Sequence, residues 1–90
     1  MKVRARVVVS GRVQGVFFRV QTRKTALANH LSGWVRNLSN GQVEAVFEGE
    51  KHDVEIALDF CQHGPVGAHV EGLDVTWEVW KGEFSDFQIF

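Results

Sequence analysis

No aspartate or glutamate occurs in the first 43 residues of this 90-residue chain. The cations in that stretch, Lys2, Arg4, Arg6, Arg12, Arg19, Arg23, Lys24 and Arg36, therefore have no local counter-ion. All eleven acids lie from Glu44 onward, accompanied only by Lys51 and Lys81. The net charge of −1 conceals this division. Such asymmetry marks either an anion-binding end or a fold that interleaves the halves so that the charges pair. Composition alone leaves both readings open.

Other absences narrow the function class. Cys61 is the single cysteine, which excludes an internal disulfide and fits a reducing cytoplasm, the compartment expected here. No apolar run approaches the roughly 20 residues that span a bilayer. Lys2, Arg4 and Arg6 interrupt any apolar signal core, so no membrane association is expected. The four histidines, His30, His52, His63 and His69, lack metal-ligand spacing such as i, i+4 on one helix, and read as surface or capping residues. With no nucleotide motif either, neither metal nor cofactor is expected. There is no repeat, linker or low-complexity tract.

What remains is a globular composition, 44% hydrophobic and 11% aromatic, read as one domain over residues 1–90. A chain this short buries only roughly 60–65% of its unfolded surface, enough for one core. Val3, Ala5, Val7 and Val9 alternate with Lys2, Arg4, Arg6 and Val8, the period of a half-buried strand. Phe18 to Leu31 reads as a helix with Val20, Leu27 and Leu31 on its apolar face, broken by Ser32-Gly33. Trp34 to Leu38 reads as a strand, Asn40-Gly41 as a hairpin turn, and Val43 to Glu48 as the returning strand. A second helix is expected over Asp53–His63, with Val54, Ala57, Leu58 and Cys61 inward and Gly64-Pro65 as its stop. Leu73, Val75, Trp77 and Val79 alternate in a further strand, and Phe87 and Ile89 mark a last short one. The order is an α+β, ferredoxin-like βαββαβ sandwich: an antiparallel sheet of four to five strands with two helices on one face.

The stretch Gly11-Arg12-Val13-Gln14-Gly15-Val16-Phe17-Phe18-Arg19 joins the first strand to the first helix. Its glycines permit positive φ and close approach of a ligand to the main chain. Amides of such a turn and of the following helix start can converge on one anion. Arg19, at the helix start, supplies a planar fork for phosphate oxygens. The segment reads as a phosphate cradle.

This segment resembles the phosphate loop of the acylphosphatases, small enzymes that hydrolyse carboxyl-phosphate anhydrides. Gly33-Trp34-Val35-Arg36-Asn37, followed by Asn40-Gly41-Gln42-Val43-Glu44, resembles the family's second motif. Gly64-Pro65 and Phe87-Gln88-Ile89 also fit, so the likeness covers essentially the whole chain. It implies that Arg19 binds the phosphoryl group and that Asn37 holds the attacking water. It also implies that the amides of Gln14, Gly15, Val16, Phe17 and Phe18 complete the cradle. The implied partner is a small acyl phosphate, handled by a monomer without nucleic acid. Asn29 and His30 depart from the Leu and Gly common at the end of the family's first helix. Ser39-Asn40 stands where an acidic residue is common. These departures concern packing and turn shape.

The remaining candidates read as ordinary structure. Cys61 lies on the apolar stripe of a helix, and no arginine follows it at the distance a cysteine phosphatase needs. Asp74 lacks the partner aspartate of an aspartyl-phosphate enzyme, because position 72 is Gly. Arg12 and Arg23 read as surface charges that tune the local field, Arg36 as solvent-facing, and Ser10 as polar without catalytic duty. Trp34, Trp77 and Trp80 read as sheet and core packing, with Trp80 partly exposed. The order of elements also occurs in RNA-recognition domains, but the strand Gln42–Glu48 is acidic and has no paired aromatics. A non-catalytic domain that handles carbamoyl phosphate or serves regulation is a third reading.

Overall fold

The computed structural model describes all 90 residues. Five strands, β1 (Lys2–Arg12), β2 (Ser32–Asn37), β3 (Val43–Glu50), β4 (His69–Glu78) and β5 (Phe87–Ile89), form one sheet in the order β4-β1-β3-β2-β5. Helices α1 (Phe18–Ala28) and α2 (Lys51–His63) cover one face. α1 packs over β2 and β5, and α2 over β1, β3 and β4. The ferredoxin-like expectation holds, with one correction to the strand directions. β5 runs parallel to β2, pairing Gly33 with Phe87 and Val35 with Ile89, so the sheet is mixed. The other three pairings are antiparallel.

The inward residues of the sheet follow the period of two. Ala5, Val7 and Val9 on β1, Val35 on β2, and Val43, Ala45 and Phe47 on β3 are all buried against the helices. From α2 come Val54, Ala57 and Cys61, as their spacing predicts. Burial pushes the Cys61 thiol up to about 12, so it is a neutral packing group rather than a nucleophile.

α1 departs from its expected face and end. Its buried stripe is Phe18, Thr22 and Ala26, at i, i+4 and i+8, while Val20 and Leu27 lie in water. The buried threonine escaped the apolar pattern. Its hydroxyl is satisfied by donating to the Phe18 carbonyl at 2.8 Å. The helix stops at Ala28, three residues short of Leu31. His30 takes the left-handed conformation (φ 58°), and the Leu31 amide reaches back to the Ala26 carbonyl at 2.9 Å. This helix-ending hydrogen-bond pattern ordinarily uses glycine at the left-handed position. Leu31 is then buried from beyond the helix rather than on it.

The second face of the sheet is also covered at its centre. β4 and β5 are opposite edges, so residues 79–86 must cross the sheet. Beneath them Arg4 donates to Glu48, Glu78 and Glu83. Lys81 donates its amide to Glu48 at 2.9 Å. Glu48 is only 1% exposed. Burial alone would lower the Arg4 pKa, but the bonds to Glu83, Glu78 and Glu48 outweigh it and hold the value above its ordinary one. Arg6 and Arg36 pair with Glu44 in the same way. Glu44 and Glu48, which alternate outward in the sequence pattern, are therefore buried as ion-pair partners. Trp77 departs in the opposite sense. It shares the inward face with Ala5 but stands on the edge strand and is about half exposed.

Two measurements follow from these features. His30→Gly relieves a left-handed non-glycine residue and should raise unfolding free energy by about 0.5–1 kcal/mol in urea titrations. Cys61 keeps its proton in the folded state above the pH at which an exposed thiol loses it. Its contribution is therefore complete below about pH 9.0 and fades as pH rises toward about 12. Stability of the native chain should fall across that range, relative to Cys61→Ala, by up to about 1.4 kcal/mol per pH unit.

Candidate active site

The candidate site forms where β1 hands over to α1. β1 continues to Arg12, two residues further than its alternation suggests, because the pairing with β4 shifts register between Ser10 and Gly11. Gly11 takes φ 118°, and a Cβ there would lie 2.2 Å from the His69 carbonyl oxygen. Only glycine lets the bulged strand stay this close to its neighbour. Beyond the bulge, Gly15 (φ 74°) and Phe17 (φ 61°) are left-handed, whereas Val16 between them and Phe18 after them are not. Alternation of this kind turns successive N–H groups to one side, the geometry of an anion-binding nest.

The amides of Gln14, Gly15, Val16 and Phe17 donate to no backbone or side-chain acceptor of the chain. The first amides of α1 are likewise free of helical partners, as at any helix start. α1 has no side-chain cap and no acid in its first turn. The positive end of its dipole is therefore open to an outside anion.

Arg19 and Asn37 meet in one cleft of about 350 Å³, lined also by Val13, Gly15, Phe17, Phe18, Val20 and Ile89. No aspartate or glutamate pairs with Arg19. Its Nη1 donates to a main-chain oxygen of Phe90 at 2.9 Å, which steadies the guanidinium. Asn37 arrives by the sheet register: Val9, Val43 and Asn37 face one another across β1, β3 and β2. Adjacent strands are about 4.8 Å apart, so Asn37 stands roughly 10 Å from Val9 on β1. Its Oδ1 is buried and has no partner within the protein. A buried acceptor without a partner costs about 1–3 kcal/mol, so its persistence at a cleft points to use.

The structure brings Arg19, Asn37, Gly15, Phe17 and Phe18 to this cleft, while Gln14 and Val16 sit beside it. Val16 packs against the core. The Gln14 side chain turns away and donates from Nε2 to the carbonyls of Leu38 (2.8 Å) and Gln42 (2.9 Å). It thereby ties the loop to the turn that follows Asn37. The sequence reading assigned Gln14 only an amide. An amide side chain in a glycine-flanked loop, facing a polar turn, is the signal that could have suggested this tie. Arg23, read as a free surface charge, instead donates to the Phe87 carbonyl at 3.0 Å and helps hold β5 at the sheet edge. Arg36 is taken up by Glu44 and stacks over Trp34, which leaves it no part in the cleft. Ser10 accepts from Gln42 Nε2 at 2.8 Å, a structural contact behind the same turn.

The model of the acylphosphatase family matches residues 5–89. This chain belongs to the acylphosphatase family. An acylphosphatase of Syntrophus aciditrophicus is 57% identical over 89 residues, 99% of this chain and 93% of that protein. The structure of an acylphosphatase from Coxiella burnetii superposes with a TM-score of 0.93 at 40% identity, covering 99% of this chain and 93% of that one. The acylphosphatase from Bacillus subtilis gives a TM-score of 0.94 at 31% identity over 98% of each chain.

The tie made by Gln14 can be tested by substitution. Gln14→Ala removes two hydrogen bonds from the loop to the β2–β3 turn and should cost about 1 kcal/mol or more of stability. It should also weaken inhibition by inorganic phosphate, measured in the same variant, because the loop amides lose their fixed position.

Proposed function

We propose that this chain hydrolyses acyl phosphates to a carboxylate and inorganic phosphate. The observation that carries the proposal is the convergence of three groups on one cleft: free loop amides, an arginine paired with no acidic side chain, and the unpartnered Asn37 Oδ1. Each is what one part of a bound phosphoryl group and its attacking water would need.

The amides and Arg19 hold the phosphoryl oxygens, where charge builds up as the bond to the leaving group stretches. The Asn37 carboxamide accepts a hydrogen bond from water at Oδ1 and donates from Nδ2 to the phosphoryl group. Water then attacks phosphorus in line. The phosphorus–oxygen bond to the acyl group breaks, and the carboxylate departs with the bonding electrons. The water proton passes to a phosphate oxygen. No aspartate, glutamate or histidine lines the cleft, so no protein base receives it. The substrate is an activated anhydride with a good leaving group, and placement together with charge stabilisation is sufficient.

One copy of the chain carries every group in this scheme, so a monomer suffices. A nucleic-acid reading would need an open sheet face with aromatic platforms. Here residues 79–86 cross one end of that face, at Arg4 and Glu48, and Glu44 further along it is paired with Arg6 and Arg36. The substrate is accordingly a small molecule. A reduced, buried thiol at Cys61 is compatible with a cytoplasmic setting.

The test is turnover of benzoyl phosphate by the native chain, Arg19→Lys and Asn37→Ala. Arg19→Lys should lose about a thousandfold or more in kcat/KM, because lysine lacks the planar fork. Asn37→Ala should lose about a hundredfold or more in kcat while inhibition by inorganic phosphate stays nearly intact. An unchanged kcat in Asn37→Ala would remove the water-positioning role.

A further inference from the structure

The two ends of the cleft differ in character. Its inner end holds the loop amides and Arg19. Its rim is apolar: Phe17, Val20 and Ile89 all leave much of their side chains in water. Phe17 is the extreme case, 76% exposed although its backbone is left-handed. The same conformation two residues earlier is occupied by Gly15. At position 17 the chain carries a ring that gains little burial and a backbone geometry that glycine would adopt without strain. Phe17 also borders a second cleft with Phe60, Pro65 and Val66, yet packing within the chain covers little of the ring. Val20 follows it by three residues along α1, on the neighbouring surface of the helix, and Ile89 faces the cleft from β5.

We propose that Phe17, Val20 and Ile89 form the subsite for the acyl group, and that the preferred substrates carry aromatic or branched aliphatic acyl groups. This rests on the hydrolytic reading above. With the phosphoryl group at the amides, the acyl group of a small substrate lies along the rest of the cleft, and that remainder is apolar. The single charged residue of the lining, Arg19, is already engaged by the phosphoryl group. A second phosphate or a carboxylate on the acyl side finds no further cation there. An aromatic acyl group can instead stack on the Phe17 ring and cover apolar surface now in water.

The experiment compares kcat/KM for benzoyl phosphate and acetyl phosphate in the native chain, Phe17→Gly and Val20→Ser. Glycine suits the backbone at position 17, so Phe17→Gly keeps the loop foldable. The native chain should prefer benzoyl phosphate, chiefly through KM. That preference should fall about fivefold in Phe17→Gly and about twofold in Val20→Ser, each more than any change in inhibition by inorganic phosphate. Equal use of both substrates by the native chain overturns the subsite, and so does a preference unchanged in both variants. If phosphate inhibition weakens in step with both substrates, Phe17 only shapes the loop, and the subsite is again overturned. Failure of the native chain to hydrolyse either substrate defeats the hydrolytic reading and this inference with it.

Discussion

A run of main-chain amides held without partners is the constraint around which this fold is organised. Free N–H groups ordinarily find carbonyls, and a loop left to itself closes on its own backbone. Here several devices prevent that. The bulge at Gly11 re-aims the end of β1, and the left-handed turns at Gly15 and Phe17 keep successive amides from pairing along the chain. The Gln14 side chain fastens the loop to the carbonyls of Leu38 and Gln42. The same fastening fixes the distance between the loop and Asn37, which comes from a different hairpin. One side chain therefore couples the two halves of the site, although it has no part in the chemistry.

The charge division of the sequence resolves along the two faces of the sheet. The pairing reading holds for Arg4, Arg6 and Arg36. Arg4, Arg6 and Arg36 are matched with Glu44, Glu48, Glu78 and Glu83 on the face crossed by residues 79–86. On the helical side, Arg19 and Arg23 meet main-chain oxygens, at Phe90 and Phe87. The Phe87 carbonyl orients the Arg23 guanidinium without cancelling its charge. The acidic side chains are thus spent away from the cleft, whose lining holds none. The acidic centre of β3 would otherwise oppose anion binding. Pairing of Glu48 with Arg4, and of Glu44 with Arg6 and Arg36, removes it from the surface.

Most of the architecture was legible because it depends on period and on turn chemistry. The alternation of Ala5, Val7 and Val9, the Asn40-Gly41 turn and the stripe Val54, Ala57 and Cys61 all appear where the pattern puts them. The misreadings of burial share one physical origin, the satisfaction of polar groups by partners that an apolar pattern does not record. Thr22 is buried because its hydroxyl bonds one turn back, and Glu48 because Arg4 and Lys81 meet it from other strands and loops. The parallel pairing of β5 depends on the chain crossing from one sheet edge to the other, which no local pattern encodes. For the site, residue types and spacing pointed to Arg19 and Asn37, and the cleft joins them. The role of Gln14 as a tie was not legible. It depends on carbonyls 24 and 28 residues away.

The two left-handed non-glycine residues illustrate how strain can be placed. His30 and Phe17 have nearly the same φ, 58° and 61°. In both cases the turn drops the next residue into the core: Leu31 after His30, and Phe18 after Phe17. Burial of a leucine or phenylalanine is worth roughly 1.5–3 kcal/mol, enough to offset a left-handed residue. This explains the backbone at both positions and leaves the side chains to be accounted for. At position 30 the side chain faces solvent beside a helix end, where a polar imidazole is unremarkable. At position 17 the side chain is a large apolar ring at the mouth of a cleft whose inner end suits a phosphoryl group. Burial of Phe18 would be equally well served by glycine at 17, so packing does not select the ring. Contact with an acyl group in the cleft, as proposed above, gives the ring a use.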